Sequence, residues 1–306
     1  MNNKILILLS TYNGEKYLKE QMDSLLRQKE VEIKILVRDD GSKDSTLSIL
    51  EDYKVETGKV EIIKGQNCGS AQSFFELILE AYKRYVNYDY FAFCDQDDVW
   101  LDDKLSVAIK VLEKAPSDKA ALYMGAYQMV DANLNKIPTP QYDPVLTLPA
   151  AMAANCATGC TMVFNKALLC ALIGYDSKDA IMHDYWAYLV CLATGGFVYY
   201  DKTPYILYRQ HGNNVIGGKK DSFAKRWTTR LTKVFRKGDC FKSRLAKKLL
   251  QCKSAQIAKD ECEFLEAVAT CTKLSSKWRI LSTKGFLGSS LDRNLQNIGL
   301  VLTGKL

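Results

Sequence analysis

Three carboxylates stand within four consecutive residues at one point of this sequence. Asp95, Asp97 and Asp98 flank Gln96 and come directly after an apolar run at residues 90–94. Carboxylates this close repel one another, and a divalent cation relieves the repulsion because it prefers hard oxygen ligands. A cation held in this way keeps coordination positions open for a diphosphate. The alternative interpretation is a solvated acidic turn that caps the following helix.

A second acidic motif, Asp-Asp-Gly-Ser at residues 39–42, follows another apolar run at residues 33–38. A carboxylate there can accept a hydrogen bond from the N–H group of a pyrimidine base. The motif also fits an ordinary turn, because Asp, Gly and Ser are turn formers and Asp44 can cap the helix that follows. Both interpretations stay open on these residues alone.

Strand-like and helix-like patterns alternate in the first part of the chain. The predicted strands are residues 4–9, 33–38, 60–64 and 90–94, and the predicted helices are residues 15–27, 44–53, 70–85 and 104–114. Such alternation predicts an α/β fold with a mostly parallel sheet and helices on both faces. Sheets of this kind bind ligands at the carboxyl ends of their strands. Residues 10–13, 39–42 and 95–98 each follow a predicted strand, so we expect them to meet at one edge of the sheet.

The pattern becomes mixed after residue 119 and basic after residue 217. The predicted strands of the mixed part are residues 122–130, 159–164, 197–200 and 205–209, and its predicted helices are residues 166–173 and 184–193. Residues 219–306 contain 20 Lys and Arg against 7 Asp and Glu, a net charge of +13, which leaves −6 for residues 1–218. The acidic first part and the basic, helix-patterned tail therefore differ in charge and are expected to have different roles.

Composition and missing motifs exclude several classes of protein. The chain is 47% hydrophobic and 25% charged, as globular proteins are, and contains no run of roughly 18 apolar residues that would span a membrane. It has neither a Gly-x-Gly-x-x-Gly motif after a strand nor a P-loop, which argues against dinucleotide oxidoreductases and P-loop NTPases. Its ten cysteines form no Cys-x-x-Cys pair, and Cys94, Cys170 and Cys191 lie in apolar runs. Buried, reduced thiols in a cytosolic protein fit this pattern best.

Taken together, the motifs resemble family 2 glycosyltransferases of the GT-A fold in both order and spacing. The resemblance is carried by residues 10–13 (Ser-Thr-Tyr-Asn), 38–46 (Arg-Asp-Asp-Gly-Ser-Lys-Asp-Ser-Thr) and 95–100 (Asp-Gln-Asp-Asp-Val-Trp), and it continues through residues 155–161, 183–186 and 208–214. It covers about residues 4–218 and leaves the basic tail uncovered. The sequences at 95–100 and 208–214 are most similar to a bacterial branch that includes rhamnosyltransferases.

The resemblance implies a Rossmann-like GT-A domain over residues 1–218, with a nucleotide-binding half at 1–118 and an acceptor-binding half at 119–218. Residues 219–306 would form a basic helical extension. The implied activity is inverting transfer of a sugar, with rhamnose as a candidate, from a UDP- or dTDP-sugar to a saccharide hydroxyl in bacterial surface polysaccharide synthesis. The implied cofactor is Mn²⁺ or Mg²⁺, and a lipid-linked saccharide is a candidate acceptor.

The resemblance also assigns roles to individual residues. The implied nucleotide-binding residues are Ser10, Tyr12, Asp40 and Asp95, of which Asp95 would face the ribose or a metal-bound water. The implied metal ligands are Asp97, His211 and Asp95, with Asp98 as an alternative direct ligand. For His211 the alternative interpretation is a structural histidine.

Asp184 matches the general base of the family. The alternative is an N-cap of a helix that begins at Tyr185, and both roles are compatible because a helix N-terminus stabilises a carboxylate. One departure is His183, since the family often has an acidic residue at that position. The alternative to an enzyme is a catalytically inactive sugar-nucleotide-binding or scaffold protein, against which the carboxylates at 95, 97, 98 and 184 argue.

The basic tail predicts a membrane contact. Residues 220–250 contain eleven basic and two acidic residues, and Trp227, Leu231, Val234 and Phe235 fall on one helical face. This pattern is typical of an interfacial helix on an anionic membrane, which would make the protein cytoplasmic and peripheral on the inner face of the plasma membrane. The alternative is a basic helix packed on the core. No recognition motif accompanies the charge, so we expect no nucleic acid partner.

Overall fold

In the computed structural model, residues 3–174, 181–211, 240–253 and 256–306 are described. The chain forms two units. The first unit comprises Met1–Asp143, Ala157–Cys191 and Gly196–Asn214, and the second comprises Pro144–Cys156, Leu192–Gly195 and Val215–Leu306. The predicted boundary between residues 218 and 219 lies outside the described residues.

The first four strands of the first unit lie close to their predicted positions. The strands of this unit are β1 (Asn3–Thr11), β2 (Val31–Asp39), β3 (Val60–Lys64), β4 (Tyr90–Cys94), β5 (Val99–Trp100), β6 (Ala121–Gly125), β7 (Gln128–Val130), β8 (Val163–Asn165), β9 (Phe197–Asp201) and β10 (Ile206–Arg209). Seven of them form one sheet in the order β3-β2-β1-β4-β8-β6-β9. Strand β8 is antiparallel to both of its neighbours, and the other pairs of this sheet are parallel. The predicted α/β fold with a mostly parallel sheet is confirmed.

A second sheet of three strands has the order β5-β10-β7. The single strand predicted at residues 122–130 is therefore wrong, because β6 pairs within the large sheet whereas β7 pairs with β10. The apolar run is continuous in sequence, and composition does not report which sheet each half joins. The strand predicted at residues 159–164 is instead a 3₁₀ turn, Gly159–Thr161, followed by β8.

Helices flank the sheet of the first unit. They are α1 (Leu18–Leu26), α2 (Thr46–Thr57), α3 (Ser70–Arg84), α4 (Lys104–Leu112), α6 (Lys166–Leu172) and α7 (His183–Ala193), while α5 (Leu148–Ala153) lies in the second unit. The interior strand β1 is apolar at every position from Ile5 to Leu9, and all five side chains are fully buried. Alternate residues of a strand point to opposite faces, so burial of all five requires cover on both sides. Each such side chain contributes roughly 1.5–3 kcal/mol when fully buried.

One face of β1 packs in a cluster with residues of α1 and α4, and α3 packs against β1 and β2. The described cysteines are free. The predicted burial is confirmed at Cys94 and Cys191 but is wrong at Cys170, which is exposed. On α6, Leu168, Leu169 and Leu172 are the core-facing residues, and Cys170 lies between them on the outward face.

The second unit is helical where the structure describes it. Its remaining helices are α8 (Phe241–Lys253), α9 (Lys259–Ala269), α10 (Leu274–Ser282) and α11 (Leu291–Leu302). Helix α8 packs on α9, and Leu245, Ala246 and Leu249 of α8 are buried. Leu245, Ala246 and Leu249 therefore belong to the core of this unit. Trp227, Leu231, Val234 and Phe235 lie outside the described residues.

Every helix in the described ranges falls short of the length and apolarity that a bilayer crossing requires.

Candidate active site

The three strand-end motifs lie at one edge of the large sheet, as their positions in the sequence indicate. In the parallel register, Thr11 of β1 pairs with Asp39 of β2, and Leu9 of β1 pairs with Cys94 of β4. The chain leaves all three strands at nearly the same level. Residues 10–13, 39–42 and 95–98 therefore share this edge.

Asp39 holds the turn after β2 in shape. Its carboxylate accepts hydrogen bonds from Thr11 Oγ1 (3.0 Å), from the Gly41 N–H (3.1 Å) and from the Ser42 N–H (2.9 Å), and the side chain is buried. Gly41 has a φ of +81°, a conformation that residues with a side chain rarely adopt. The turn interpretation of this motif thus applies to Asp39, whereas Asp40 has different partners.

Asp40 is buried and forms an ion pair with Arg38. Its Oδ2 also accepts a hydrogen bond from the N–H of Cys68 at 3.1 Å. Arg38 donates in addition to Ser73 Oγ at 3.3 Å, and Ser10 Oγ donates to the same oxygen at 2.8 Å. Ser10 and Asp40, both predicted to bind the nucleotide, therefore belong to one hydrogen-bonded set organised by Arg38. Sequence reasoning assigned Arg38 no role.

The predicted N-cap of helix α2 was Asp44, and the helix begins one residue later than that prediction requires. Its N-cap is Ser45, and the Asp44 carboxylate accepts hydrogen bonds from the N–H (3.0 Å) and the hydroxyl (2.6 Å) of Thr46. Asp44 also accepts the N–H of Glu15 at 3.1 Å. The segments after β1 and β2 are therefore joined side by side.

Gln96, the uncharged residue among the three carboxylates, holds the segment after β1. Its Oε1 accepts the N–H of Tyr12 at 2.9 Å, and its Nε2 donates to the Tyr12 carbonyl at 3.2 Å. A side chain at Gly14 would overlap the Gln96 amide. The Tyr12 ring remains 42% exposed, so its face is accessible to a ligand. The position of an amide between carboxylates was a signal in the sequence, but the role of Gln96 in holding the Tyr12 backbone was not predicted.

Asp97 and His211 are brought together. His211 Nε2 lies 2.7 Å from Asp97 Oδ2, and the two side chains are 16% and 18% exposed. The ring of Tyr17 packs against the imidazole at 5.0 Å between centroids. An imidazole nitrogen and a carboxylate oxygen in this arrangement are a suitable ligand pair for a divalent transition metal.

Arg209 fixes the other side of the Asp-Gln-Asp-Asp loop. Its guanidinium donates to the carbonyls of Asp97 (2.9 Å) and Ala132 (2.6 Å) and to the Glu20 carboxylate (2.6 Å). Its backbone N–H donates to Asp98 Oδ1 at 3.1 Å. One buried side chain thus ties the loop after β4 to two other parts of the unit.

Asp98 is fully buried, and its carboxylate accepts a hydrogen bond from the thiol of Cys160. One ligand atom from each of Asp95, Asp98 and Cys160 lies within 4.8 Å of the others, which makes a second donor set that shares Asp95. Burial raises the pKa of the Cys160 thiol well above its ordinary value, so the thiol stays protonated. Nearby, the buried ammonium of Lys104 lies 3.6 Å from the centroid of the Trp100 ring, and burial lowers its pKa to about 8.

Asp95 and Asp184 complete the cluster. Burial, and then the charges of Asp97 and Asp184, raise the pKa of Asp95 to about 7. Burial raises the pKa of Asp184 to about 6, although its carboxylate accepts the N–H groups of Tyr185 (2.6 Å) and Gly159 (3.1 Å). Helix α7 begins at His183, so the alternative of Asp184 as the N-cap of a helix from Tyr185 is wrong. Asp184 instead lies in the first turn, where the helix dipole favours its negative charge.

His183, which departs from the family pattern, is a core residue here. Its ring stacks on Phe74 at 3.8 Å between centroids and meets Phe93 edge-on at 4.6 Å. Burial lowers its pKa to about 3, so the ring is neutral. His183 therefore holds the start of α7 against the sheet.

The family description "Glycosyl transferase family 2" matches residues 6–169 of the chain. The dTDP-rhamnosyl transferase RfbG of Shigella flexneri is 32% identical over 232 residues, which are 71% of this chain and 76% of that protein. The chain belongs to glycosyl transferase family 2. This glycosyltransferase is also similar to the UDP-Glc:alpha-D-GlcNAc-diphosphoundecaprenol beta-1,3-glucosyltransferase WfgD of Escherichia coli, at 26% identity over 53% of this chain and 60% of that one.

A solved structure gives the fold. The crystal structure of S. aureus TarS 1-349 in complex with UDP-GlcNAc superposes with a TM-score of 0.57 at 16% identity, covering 97% of this chain and 90% of that one. The glycosyltransferase has the GT-A fold that the motifs implied.

Proposed function

We propose that this glycosyltransferase transfers a sugar from a nucleotide-sugar donor to an acceptor hydroxyl, with inversion at the anomeric carbon, and depends on a divalent cation. The observation that carries the proposal is the convergence of Asp95, Asp97 and Asp184 at the carboxyl edge of the sheet. These groups are near enough that the charges of the other two help to raise the pKa of Asp95 to about 7. A site that gathers carboxylates against their repulsion is suited to a cationic partner.

The cation would be Mn²⁺ or Mg²⁺, held by Asp97, His211 and Asp95. The partial exposure of Asp97 and His211 supports this set, since a ligand that also binds a diphosphate must face solvent. Asp98, the alternative ligand, is fully buried and is fixed by the backbone of Arg209, which favours a structural role. The cation would neutralise charge on the leaving diphosphate.

The donor nucleotide would bind to the segments after β1 and β2. Tyr12 offers an exposed ring face for the base, and Gln96 holds its backbone from both sides. Asp40, which is ion-paired with Arg38, would accept a hydrogen bond from the base. Ser10, joined to Arg38 through Ser73, would contact the nucleotide beside it.

Asp184 would act as the general base. In a single displacement, a bond forms between the acceptor oxygen and the anomeric carbon while the bond from that carbon to the diphosphate oxygen breaks. The proton of the acceptor hydroxyl then passes to the Asp184 carboxylate. A pKa of about 6 suits this role, because the group is ionised at neutral pH and still basic enough to take the proton.

The relatives suggest a substrate class. The similarity to a dTDP-rhamnosyl transferase supports dTDP-rhamnose as the donor, with UDP-sugars as the second choice. The E. coli relative is described as acting on a GlcNAc linked to diphosphoundecaprenol. That description supports a lipid-linked saccharide acceptor in bacterial surface polysaccharide synthesis for this chain. Attachment of the basic tail, as predicted for residues 220–250, to an anionic membrane at the cytoplasmic face would bring the enzyme to such an acceptor.

A donor panel tests the proposal. Purified protein would be incubated with Mn²⁺, a saccharide acceptor and dTDP-rhamnose, UDP-glucose, UDP-GlcNAc or GDP-mannose, and the released nucleoside diphosphate would be measured. We expect release with one donor class, and NMR of the product should show an inverted anomeric configuration. The alternative, an inactive sugar-nucleotide-binding protein, would bind one donor without releasing diphosphate.

A further inference from the structure

Helix α11 presents an apolar stripe outward. Leu291, Leu295, Ile298 and Leu302 follow at intervals of four, three and four residues, which places them on one face. The three leucines are exposed, Leu291 by 72%. The buried residues of the helix are Asn297 and Val301. The most apolar face of α11 is therefore not the face that packs in the second unit.

Helix α10 repeats this arrangement. Leu274 and Trp278 are 84% and 77% exposed, and Leu281 continues their face one turn further along. Ser276 and Ile280, the buried residues of α10, lie on the other side of the helix. Single exposed apolar residues are common, but a continuous stripe that includes a tryptophan is typical of an interaction surface.

The two stripes adjoin. The ammonium of Lys277 donates to the carbonyl of Leu302 at 2.7 Å, so a residue next to the α10 stripe touches a member of the α11 stripe. Both helices lie in the second unit and pack on each other. We call the two stripes together the α10–α11 face and define it as Leu274, Trp278, Leu281, Leu291, Leu295, Ile298 and Leu302.

The segment that carries the α10–α11 face is basic. Residues 273–306 contain six basic residues and one acidic residue, a net charge of +5, and Arg279 of this segment forms an ion pair with Glu263 of α9. An anionic surface is attracted by this charge, whereas a second copy placed face to face would bring like charges together. A tryptophan beside leucines and cations matches the composition of surfaces that lie at the boundary between headgroups and acyl chains.

We propose that the α10–α11 face binds an anionic lipid bilayer. Trp278 and the exposed leucines enter the boundary between headgroups and acyl chains, and the surrounding Lys and Arg residues contact the anionic headgroups. This surface is distinct from residues 220–239 and independent of the proposed sugar transfer, because it contains no residue of the candidate active site. The membrane contact and the sugar transfer can therefore be disproved separately.

Tryptophan fluorescence tests the contact directly. The chain has four tryptophans, and a Trp227→Phe variant keeps Trp100, Trp186 and Trp278. Trp100 and Trp186 are buried, so Trp278 is the exposed member of the three. On addition of vesicles of phosphatidylglycerol and phosphatidylcholine in equal parts, we expect a blue shift of the emission and quenching by brominated acyl chains. Pure phosphatidylcholine vesicles should give a weaker response.

Matched substitutions complete the test. Leu274→Ser should lower the vesicle partition coefficient about tenfold, and Lys284→Gln about fivefold at low salt. The control Val55→Ser removes an equally exposed apolar side chain, at 85%, from α2 of the first unit and should leave partitioning unchanged. The proposal is overturned if brominated lipid fails to quench Trp278, or if Leu274→Ser and Val55→Ser behave alike. A wild-type dimer that Leu274→Ser dissociates, without vesicle binding, would instead assign the face to a second copy of the chain.

Discussion

The imidazole Nε2 of His211 lies 2.7 Å from Oδ2 of Asp97, although 114 positions separate the two residues in the chain. The contact joins the segment after β10 to the loop after β4. Arg209, two residues before His211, binds the backbone of the same loop through the Asp97 carbonyl. The carboxylates at the sheet edge are thus held by residues from the far end of the first unit.

Removal of the Asp184 carboxylate should act on the chemical step. We expect Asp184→Asn to lower kcat by about a hundredfold, because loss of a positioned general base costs about that much. Donor affinity, measured by calorimetry with a donor and Mn²⁺, should stay within about twofold because the proposed base acts on the acceptor hydroxyl. A variant that loses donor affinity and keeps kcat would remove Asp184 from the catalytic role.

The pH dependence of the rate should reflect the same carboxylate. Burial raises the pKa of Asp184 to about 6, and only the ionised form accepts a proton. The rate should therefore be high above pH 6 and fall as the pH drops through about 6, with a limiting slope of one. The measurement is kcat/KM for the acceptor at saturating donor and Mn²⁺. A rate that stays constant down to pH 5 would contradict the assignment.

Gln96 should affect donor binding more than turnover. Gln96→Ala removes both hydrogen bonds to the Tyr12 backbone, each worth roughly 0.5–1.5 kcal/mol, so we expect the donor KM to rise about tenfold. Gln72→Ala, on the exposed surface of α3, is the matched control and should leave KM unchanged. An equal fall in kcat at constant KM would show that Gln96 acts on the reaction rather than on Tyr12.

Arg209 should be the main structural support of the loop. Arg209→Met removes three guanidinium bonds from a side chain that is 1% exposed, and we expect a loss of about 3–5 kcal/mol in the free energy of unfolding. The control Arg84→Met breaks ion pairs with Glu61 and Glu80 on the surface and should cost much less than Arg209→Met, because solvent screens exposed pairs. Urea unfolding of both variants makes the comparison. Equal losses would mean that the buried contacts of Arg209 contribute no more than a surface pair.

The carboxyl edge of the sheet could be predicted because each motif directly follows an apolar run, and parallel strands end at one edge. Gln96 and Arg38 were missed for a shared reason. Each binds a partner that folding brings near, Gln96 the Tyr12 backbone and Arg38 the hydroxyl of Ser73. A single sequence records residue types at fixed spacing, whereas these contacts join segments that are distant in the chain.

The basic tail could be predicted only in part. The membrane contact predicted over residues 220–250 depends on their positive charge and on Trp227, Leu231, Val234 and Phe235, which lie outside the described residues. The sequence did not single out the exposed apolar residues of α10 and α11, such as Leu274 and Leu291. Helical periodicity identifies an apolar face, but it does not tell whether another helix covers that face.

The most direct test of the proposed active site compares two neighbouring carboxylates. Sugar transfer would be measured for wild type, Asp97→Asn and Asp102→Asn across a Mn²⁺ titration, with EDTA as the zero point. Asp102 forms surface ion pairs with Arg27 and Lys29, so its loss should leave both turnover and the Mn²⁺ midpoint unchanged. We expect Asp97→Asn to fold normally and to lose Mn²⁺-dependent turnover by at least about a hundredfold. Full activity of Asp97→Asn, or wild-type activity that persists in EDTA, would contradict a metal-dependent site at these residues.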